Sequence, residues 1–401
     1  MKKRKYEESH PWIKFGLDLK EQPLPYTTWV LLGAAQSKCM HLAGIPLRPE
    51  KRQELLRVSM IKGVHATTAI EGNSLSEDEI KQINDGISQL PKSKDYQRQE
   101  ILNVLRVYND MATRIKRNTS CEITCEQIKL DNKIILDKLK KDESDNDVIP
   151  GEIRTHAMYV SKYRGAPAED CEYLLQKLCD WLQSDWGFDS ENKVIEAILK
   201  AILGHLYIAW IHPFSDGNGR TARALELRVL MSAGVPADAP HLLSNHYNNT
   251  RSEYYYFLGQ TSQLDRKNGD PRPFIEYAVQ GLVDALDEQI KIILEEEIQV
   301  TWINFIHSKF GGRLTFVQKR QRDLLLEISN FENPVDLSDL RKRLSEDLIA
   351  QYGDTTPRAF RRDINALIKL GLLLKKEGNK VLAAKELLIS YLPISKMRPE
   401  L

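Results

Sequence analysis

The sequence predicts a mainly α protein with a small β-hairpin set into its helical core and a second, smaller helical module at its C-terminal end. Three observations carry this. Apolar residues recur at three- and four-residue spacing from about residue 50 to about 305. Strand-like stretches are few and short. Capping residues, glycines and prolines punctuate the periodic segments where helices should start and stop.

Taken in order, "PEKRQELLRVSMIKGVHATTAIEGN" reads as a helix with Pro49 near its start and Gly72 just past its end. Ser76 with Glu79 three residues later forms a capping box for the next helix. Residues 141–147, "KDESDND", read as an exposed charged connection. "PGEIRTHAMYVSKY" then reads as the first turn and strand of a hairpin, with Met158 to Val160 as strand formers. A long helix spans about Asn192 to Ile211 and ends at His212, because Pro213 disfavours helical geometry in the residue before it. The following helix starts at Asn218 or Gly219 and stops near Gly234, with Pro236 beyond.

"PFIEYAVQGLVDALDEQIKIILEEEIQVTWINFI" is a long amphipathic segment, and Gly311–Gly312 marks a domain boundary. The expected organisation is 1–95, 96–308 and 309–401. In the last part, helical patterns at about 316–330, 337–351 and 356–370 precede a hairpin turning at "EGNK". That order is the one of a winged helix-turn-helix. The last helix buries Phe360, Ile364, Leu367 and Ile368 behind a capping threonine and Pro357. Its exposed face would carry Arg358, Arg361, Arg362 and Lys369, with Lys375, Lys376 and Lys380 in the wing. This is the arrangement of a DNA-binding surface, with protein binding or dimerisation as the alternatives.

The formal net charge is +1, so any attraction to nucleic acid must be local. The longest apolar run, "AILGHLYIAWI", is short and contains His205; it reads as a buried helix, and no membrane association is expected. "MKKRKYEESHPW" lacks the apolar region of a signal peptide. Cysteines 39, 121, 125, 171 and 179 form no close CxxC pair, which fits small core residues in a reducing cytoplasm.

"HPFSDGNGR", His212 to Arg220, concentrates the chemistry. A glycine turn leading into a helix N-terminus aims unpaired N–H groups at one spot, which suits an anion. Arg220 and Arg223 add charge matched to phosphate oxygens. Asp216 would repel a bare polyphosphate but can hold a magnesium ion that completes its shell with phosphate and water. His212 is placed to take a proton from an attacking hydroxyl. Together they read as metal-assisted transfer of a phosphorus centre to an alcohol. "GNGRTA" formally matches the dinucleotide fingerprint, but a helix precedes it where that fingerprint needs a strand.

"HPFSDGNGRTAR" resembles, at every defining position, the Fic-family signature HPFx[D/E]GNGRxxR. "PGEIRTHAMYV" resembles the family's flap hairpin, and "TRSEYYYFL" and "DPRPFIEY" resemble its downstream helices. The resemblance implies a Fic-type helical core that transfers AMP from ATP, with Mg2+, to a Tyr, Ser or Thr hydroxyl of a target protein or of itself, releasing pyrophosphate. By position, it makes His212 the general base and Asp216 the metal ligand. The nucleotide-binding stretch is Gly217, Asn218, Gly219, Arg220, Thr221, Ala222 and Arg223, in which the Asn218 side chain helps the amides and both arginines clamp the β- and γ-phosphates. Met158, Tyr159, Val160 and Ser161 of the flap would position the target, and Tyr254 would cover the base or ribose.

"TTAIEGN" resembles the family's inhibitory motif [S/T]xxxE[G/N], with Thr67, Glu71 and Gly72 at its defining positions. The resemblance implies that Glu71 pairs with Arg223 and holds ATP unproductively. A nucleotide-sensing DNA-binding regulator and an enzyme removing AMP from a modified target remain alternative readings, and a homodimer stays open.

Overall fold

The computed structural model describes all residues except 1–2, 17–22, 46, 88, 118–121, 140–147, 161–162, 237–238, 263–268, 354–356 and 390–401. The charged connection 141–147, Cys121, Ser161 and the capping threonine before Pro357 therefore lie outside the described residues. The chain forms two compact units, Met1–Glu288 and Gln289–Leu401.

In the first unit, α1 (Tyr6–Ser9) and α2 (Tyr26–Gly44) precede α3 (Pro49–Ile70), which has Pro49 at its start. Glu71 is the residue that ends α3, and Gly72 follows at φ +98°, a conformation that favours glycine. α4 (Glu77–Asn84) starts with the expected capping box: the Ser76 hydroxyl accepts from Glu79 N–H, and Glu79 Oε2 accepts from Ser76 N–H. α5 (Asp95–Lys116) and α6 (Cys125–Ile135) follow. With α3, α4 and a later helix, α9 (Asn218–Ser232), they enclose a core that includes Ile61, Val64, Ile80, Ile101, Met111, Ile135 and Leu227.

The hairpin consists of β1 (Tyr159–Val160) and β2 (Tyr163–Arg164), antiparallel, with Val160 opposite Tyr163. Met158 lies just outside the strand, and its carbonyl accepts from Gly165 N–H. α7 (Ala168–Gln183), α8 (Lys193–Ile211) and α9 (Asn218–Ser232) follow. Ser190–Ile211, which contains α8, has the length and apolarity of a membrane span, yet 83% of its most apolar 18-residue stretch is buried within this unit. α9 stops as expected: Gly234 adopts φ +78° and the Val235 N–H bonds back to the Leu230 carbonyl. α10 (Leu242–Asn249) and α11 (Arg251–Gln260) complete the frame of the site.

The division between units falls inside α12 (Arg272–Lys309), after Glu288, rather than at Gly311–Gly312. The reason is packing: Trp302, Ile306 and Phe310 belong to the hydrophobic core of the second unit. That unit contains α13 (Phe316–Ile328), β3 (Val335–Asp336), α14 (Leu337–Arg343), α15 (Glu346–Tyr352), α16 (Pro357–Lys369), β4 (Leu373–Lys376), β5 (Lys380–Ala383) and α17 (Glu386–Ile389). The sheet order is β3-β5-β4, and the β4–β5 turn places Gly378 and Asn379 at positive φ. The single helical pattern expected over 337–351 is two helices. Ser345 leaves helical geometry, its hydroxyl capping the Leu348 N–H while Glu327 accepts its own N–H, so the backbone breaks there.

Candidate active site

His212 ends α8 in the left-handed conformation, φ 51° and ψ 59°. For a residue other than glycine this is uncommon and persists only where its surroundings hold it. The hold comes from Arg154, 3% exposed, whose Nε donates to the His212 carbonyl at 2.6 Å. The same guanidinium donates to the carbonyls of His156 and Ala166. The Arg154 N–H bonds to the Pro213 carbonyl, and Ile153 bridges Phe214 in antiparallel fashion. One arginine thus fastens the hairpin to the loop that carries the histidine. Close approach is part of this: a Cβ on Gly165 would lie 2.9 Å from His212 Cβ.

The His212 ring is partly buried, and the Ala209 backbone carbonyl accepts one of its N–H groups. Burial, and then the neighbouring Arg154 charge, pull its pKa down to about 4. The imidazole is neutral at pH 7, and its second nitrogen is free to accept a proton.

Gly217, at φ +74°, opens α9, and the first bond of the helix runs from Thr221 N–H to the Gly217 carbonyl. The N–H groups of Asn218, Gly219 and Arg220 are thus the unpaired donors of a helix start. The Asn218 side chain, expected to help hold phosphate, does other work. Its Oδ1 accepts from Phe214 N–H at 3.0 Å and its Nδ2 donates to the Phe214 carbonyl at 2.8 Å, which closes the loop. Thr221 and Gly217 also face inward. The Thr221 hydroxyl accepts from Asn132 Nδ2 at 3.1 Å, and Asn132 itself ties the Asp216 carbonyl to the Gly151 N–H. Gly217 packs against Asn132 and Leu136.

The two arginines differ. Arg220, 2% exposed, is committed to Glu100 on α5: its Nη1 lies 2.6 Å from Glu100 Oε1, with Asp216 Oδ1 at 3.5 Å from Nη2. Arg223, 1% exposed, faces α3. Its Nε donates to the Thr67 hydroxyl at 2.7 Å, and its Nη2 donates to the Thr67 carbonyl at 2.9 Å and to Glu71 Oε1 at 2.6 Å. Burial opposes the Arg223 charge, but the Glu71 carboxylate and the tyrosines beside it hold its pKa above the ordinary value. Glu71 also reaches over the start of α9: a Cβ on Gly219 would lie 2.5 Å from its Oε1. A carboxylate therefore sits where the orphan amides and Arg223 invite an anion. Arg251, at the start of α11, donates to the Ala69 and Ile70 carbonyls and secures the end of α3.

These groups border one cavity of 1020 Å³, lined by Glu71, His212, Asn218, Gly219, Ala222 and Arg223 at one end. Val160 and Tyr163 of the hairpin also line it, with Tyr254, Tyr255, Tyr256 and Gly259 of α11. Tyr254 is a buried wall, 3% exposed, its hydroxyl 3.0 Å from His205 Nε2 and its ring stacked on Tyr247. Its neighbours Tyr255 and Tyr256 are 48% and 60% exposed, so they have the freedom to cover a bound ring that Tyr254 lacks. Asp216 is 39% exposed, with Oδ1 accepting from Gly217 N–H at 2.6 Å. Among the described residues no three His, Cys, Asp or Glu side chains converge as a metal cage. One exposed carboxylate fits a magnesium ion that takes most of its ligands from phosphate and water.

Residues 122–230, from just before α6 through nearly all of α9, match the Fic/DOC family. That segment resembles a Fic domain. "Protein adenylyltransferase fic-1" of Caenorhabditis briggsae is 30% identical over 225 residues, 56% of this chain and 40% of that protein. "Protein adenylyltransferase Fic" of Nematostella vectensis is 26% identical over 257 residues, 64% of this chain and 55% of that protein. The chain thus spans about half the length of the curated relatives it matches, or less. In fold it is similar to a Fic family protein from Desulfovibrio desulfuricans G20, with TM-score 0.53 and 18% identity over 89% of this chain and 95% of that one. It is also similar to Fic-1 (residues 134–508) from C. elegans, with TM-score 0.54 and 23% identity over 68% and 74% of the two chains. His212, Asp216 and Arg223 fall within the matched Fic segment, whereas Glu71 and Tyr254 lie outside it.

Sequence reasoning missed Arg154, Asn132, Glu100 and Arg251. Each acts through a backbone carbonyl or a partner far away in the chain, and no local pattern marks such a role.

Proposed function

We propose that this chain transfers AMP from ATP to a side-chain hydroxyl of a protein, and that Glu71 restrains the reaction. One observation carries the reading: the amide-rich start of α9 and Arg223 form an anion site, the neutral His212 borders the same cavity, and the chain's own carboxylate occupies the anion position. The cavity is large enough for a nucleoside triphosphate.

In this reading the amides of Asn218 and Gly219 and the Arg223 guanidinium take the phosphates, while Tyr255 and Tyr256 cover the base. Asp216 would hold Mg2+, whose charge offsets that of the phosphates. The target oxygen attacks the α-phosphorus and gives its proton to His212. As the new O–P bond forms, the bond to the bridging oxygen breaks and pyrophosphate leaves. Among the described residues β1 pairs only with β2, and Tyr159 and Val160 are 61% and 44% exposed. Its outer edge can accept an extended target segment as an added strand.

The test uses ATP labelled at either the α- or the γ-phosphorus. Transfer of AMP retains the α-label in protein and none of the γ-label, and His212→Ala loses it. Incorporation of γ-label, or α-labelling that survives His212→Ala, would refute the reading.

A further inference from the structure

We propose that the outer face of α16 and the β4–β5 hairpin form a binding surface for double-stranded DNA, with α16 in the major groove and the hairpin lying along the flanking phosphates. This surface shares no residue with the proposed transfer site.

α16 buries Phe360, Ile364 and Leu367. Its exposed positions from Arg358 to Lys369 are Arg358, Arg361, Arg362, Asn365 and Lys369, three or four residues apart and hence on one face. The only acid of the helix, Asp363, is 0% exposed. It is held from behind by Arg320 Nε at 2.8 Å, Gln321 Nε2 at 2.9 Å and the Tyr352 hydroxyl at 3.2 Å. A buried network of this kind helps to fix the rotation of a helix about its axis. The acid is thereby withdrawn from the surface and the cations are presented outward.

The hairpin continues the charge with Lys375, Lys376 and Lys380, all exposed. Lys376 lies 3.7 Å from Glu386, and Glu377 is the one acid in the turn. Arg358, Arg361, Arg362, Lys369, Lys375 and Lys380 form no ion pair among the described residues. Elsewhere some cations are matched, as in Lys5–Glu169, Lys129–Glu172 and Arg114–Asp110, each at 2.6–2.7 Å, while others, such as Lys62, Lys133 and Lys177, are exposed and scattered over separate helices. Six cations without an ion pair among the described residues, gathered on two adjoining elements, make a local positive potential in a chain whose net charge is +1.

Three features favour duplex DNA over an acidic protein. The exposed positions of α16 from Arg358 to Lys369, and the hairpin tip, include no apolar side chain; Leu370, just past the helix, is exposed, but a single leucine is a poor anchor for a protein interface. Arginine and asparagine are the residues that read guanine and adenine edges from a groove-bound helix. A helix flanked by a basic hairpin also matches the two rows of phosphates that border a groove.

The test measures anisotropy of a labelled mixed-sequence duplex of about 30 base pairs with the full chain, as salt rises from about 50 to about 200 mM. With about five phosphate contacts, affinity should fall about 500-fold across that range. The Arg361→Ala/Arg362→Ala pair should weaken binding about tenfold or more and reduce the salt slope by about 1.8, and Lys375→Ala/Lys376→Ala should act similarly. Both pairs should keep the wild-type circular dichroism spectrum and the wild-type labelling with ATP. Absence of binding at about 50 mM salt, or variants that bind as wild type does, would overturn the proposal. So would competition by poly-glutamate as effective as by duplex, which would assign the surface to acidic protein partners.

Discussion

Replacing Glu71 by glycine removes the carboxylate from the anion site while leaving the arginine that it engages in place. Arg223 keeps its two bonds to Thr67, so its position survives the change. The loss includes a charge-assisted bond at 2.6 Å between a side chain 1% exposed and one 31% exposed. Such a bond contributes roughly 1.5–3 kcal/mol. If productive ATP must displace it, the variant should transfer AMP about 10- to 100-fold faster. Self-labelling from α-labelled ATP measures this, and Glu71→Gln separates charge from volume by keeping the size of the side chain. Glycine at 71 also leaves the buried Arg223 without its anion, so the nucleotide-free variant should melt lower and gain more in Tm on adding ATP. Labelling at the wild-type rate, with ATP binding unimpaired, would refute the restraint.

Gly219→Ala should disrupt the same corner by sterics, since its Cβ would fall 2.5 Å from Glu71 Oε1; its loss of thermal stability should shrink in the Glu71→Gly background, and a loss equal in both would refute the contact. Arg154→Ala should lower kcat for AMP transfer more than it raises KM for ATP, because it frees the loop bearing His212 rather than the phosphate site. His241, buried against Gly63, has its pKa pulled from 6.5 to about 4 by burial. The unfolded chain therefore takes up this proton first, and stability present above pH 6.5 is lost as the pH falls towards 4, by about 2 kcal/mol at about pH 5. Denaturant titrations at about pH 7 and about pH 5 measure that loss, which should be smaller in His241→Gln.

Several parts of the fold and site were legible in the sequence because their causes are local. The Ser76 capping box, the end of α8 before Pro213 and the stop of α9 at Gly234 depend on residues within a few positions of one another. The loop from His212 to Arg220 is local too, so its glycine turn and helix start could be read directly. Other assignments needed the packed chain. Asn218 looks like a phosphate ligand, yet its amide closes the loop onto Phe214. Arg220 looks like a twin of Arg223, yet Glu100 holds it from 120 residues away. Tyr254 could not be told from Tyr255 and Tyr256 by pattern, because burial alone makes one a wall and leaves the others exposed.

By itself the sequence determined which segments become helices, where glycines let the backbone turn, and which residue types meet in one short connection. Short-range sterics, caps and periodicity act within a turn or two, and they need no other part of the chain. The tertiary structure alone decided which charges find partners: Arg223 meets Glu71 across 152 residues, and Arg154 clasps the His212 carbonyl across 58. Pairings of that kind depend on how the helices pack, since only burial brings such groups together and removes the water that would otherwise satisfy them.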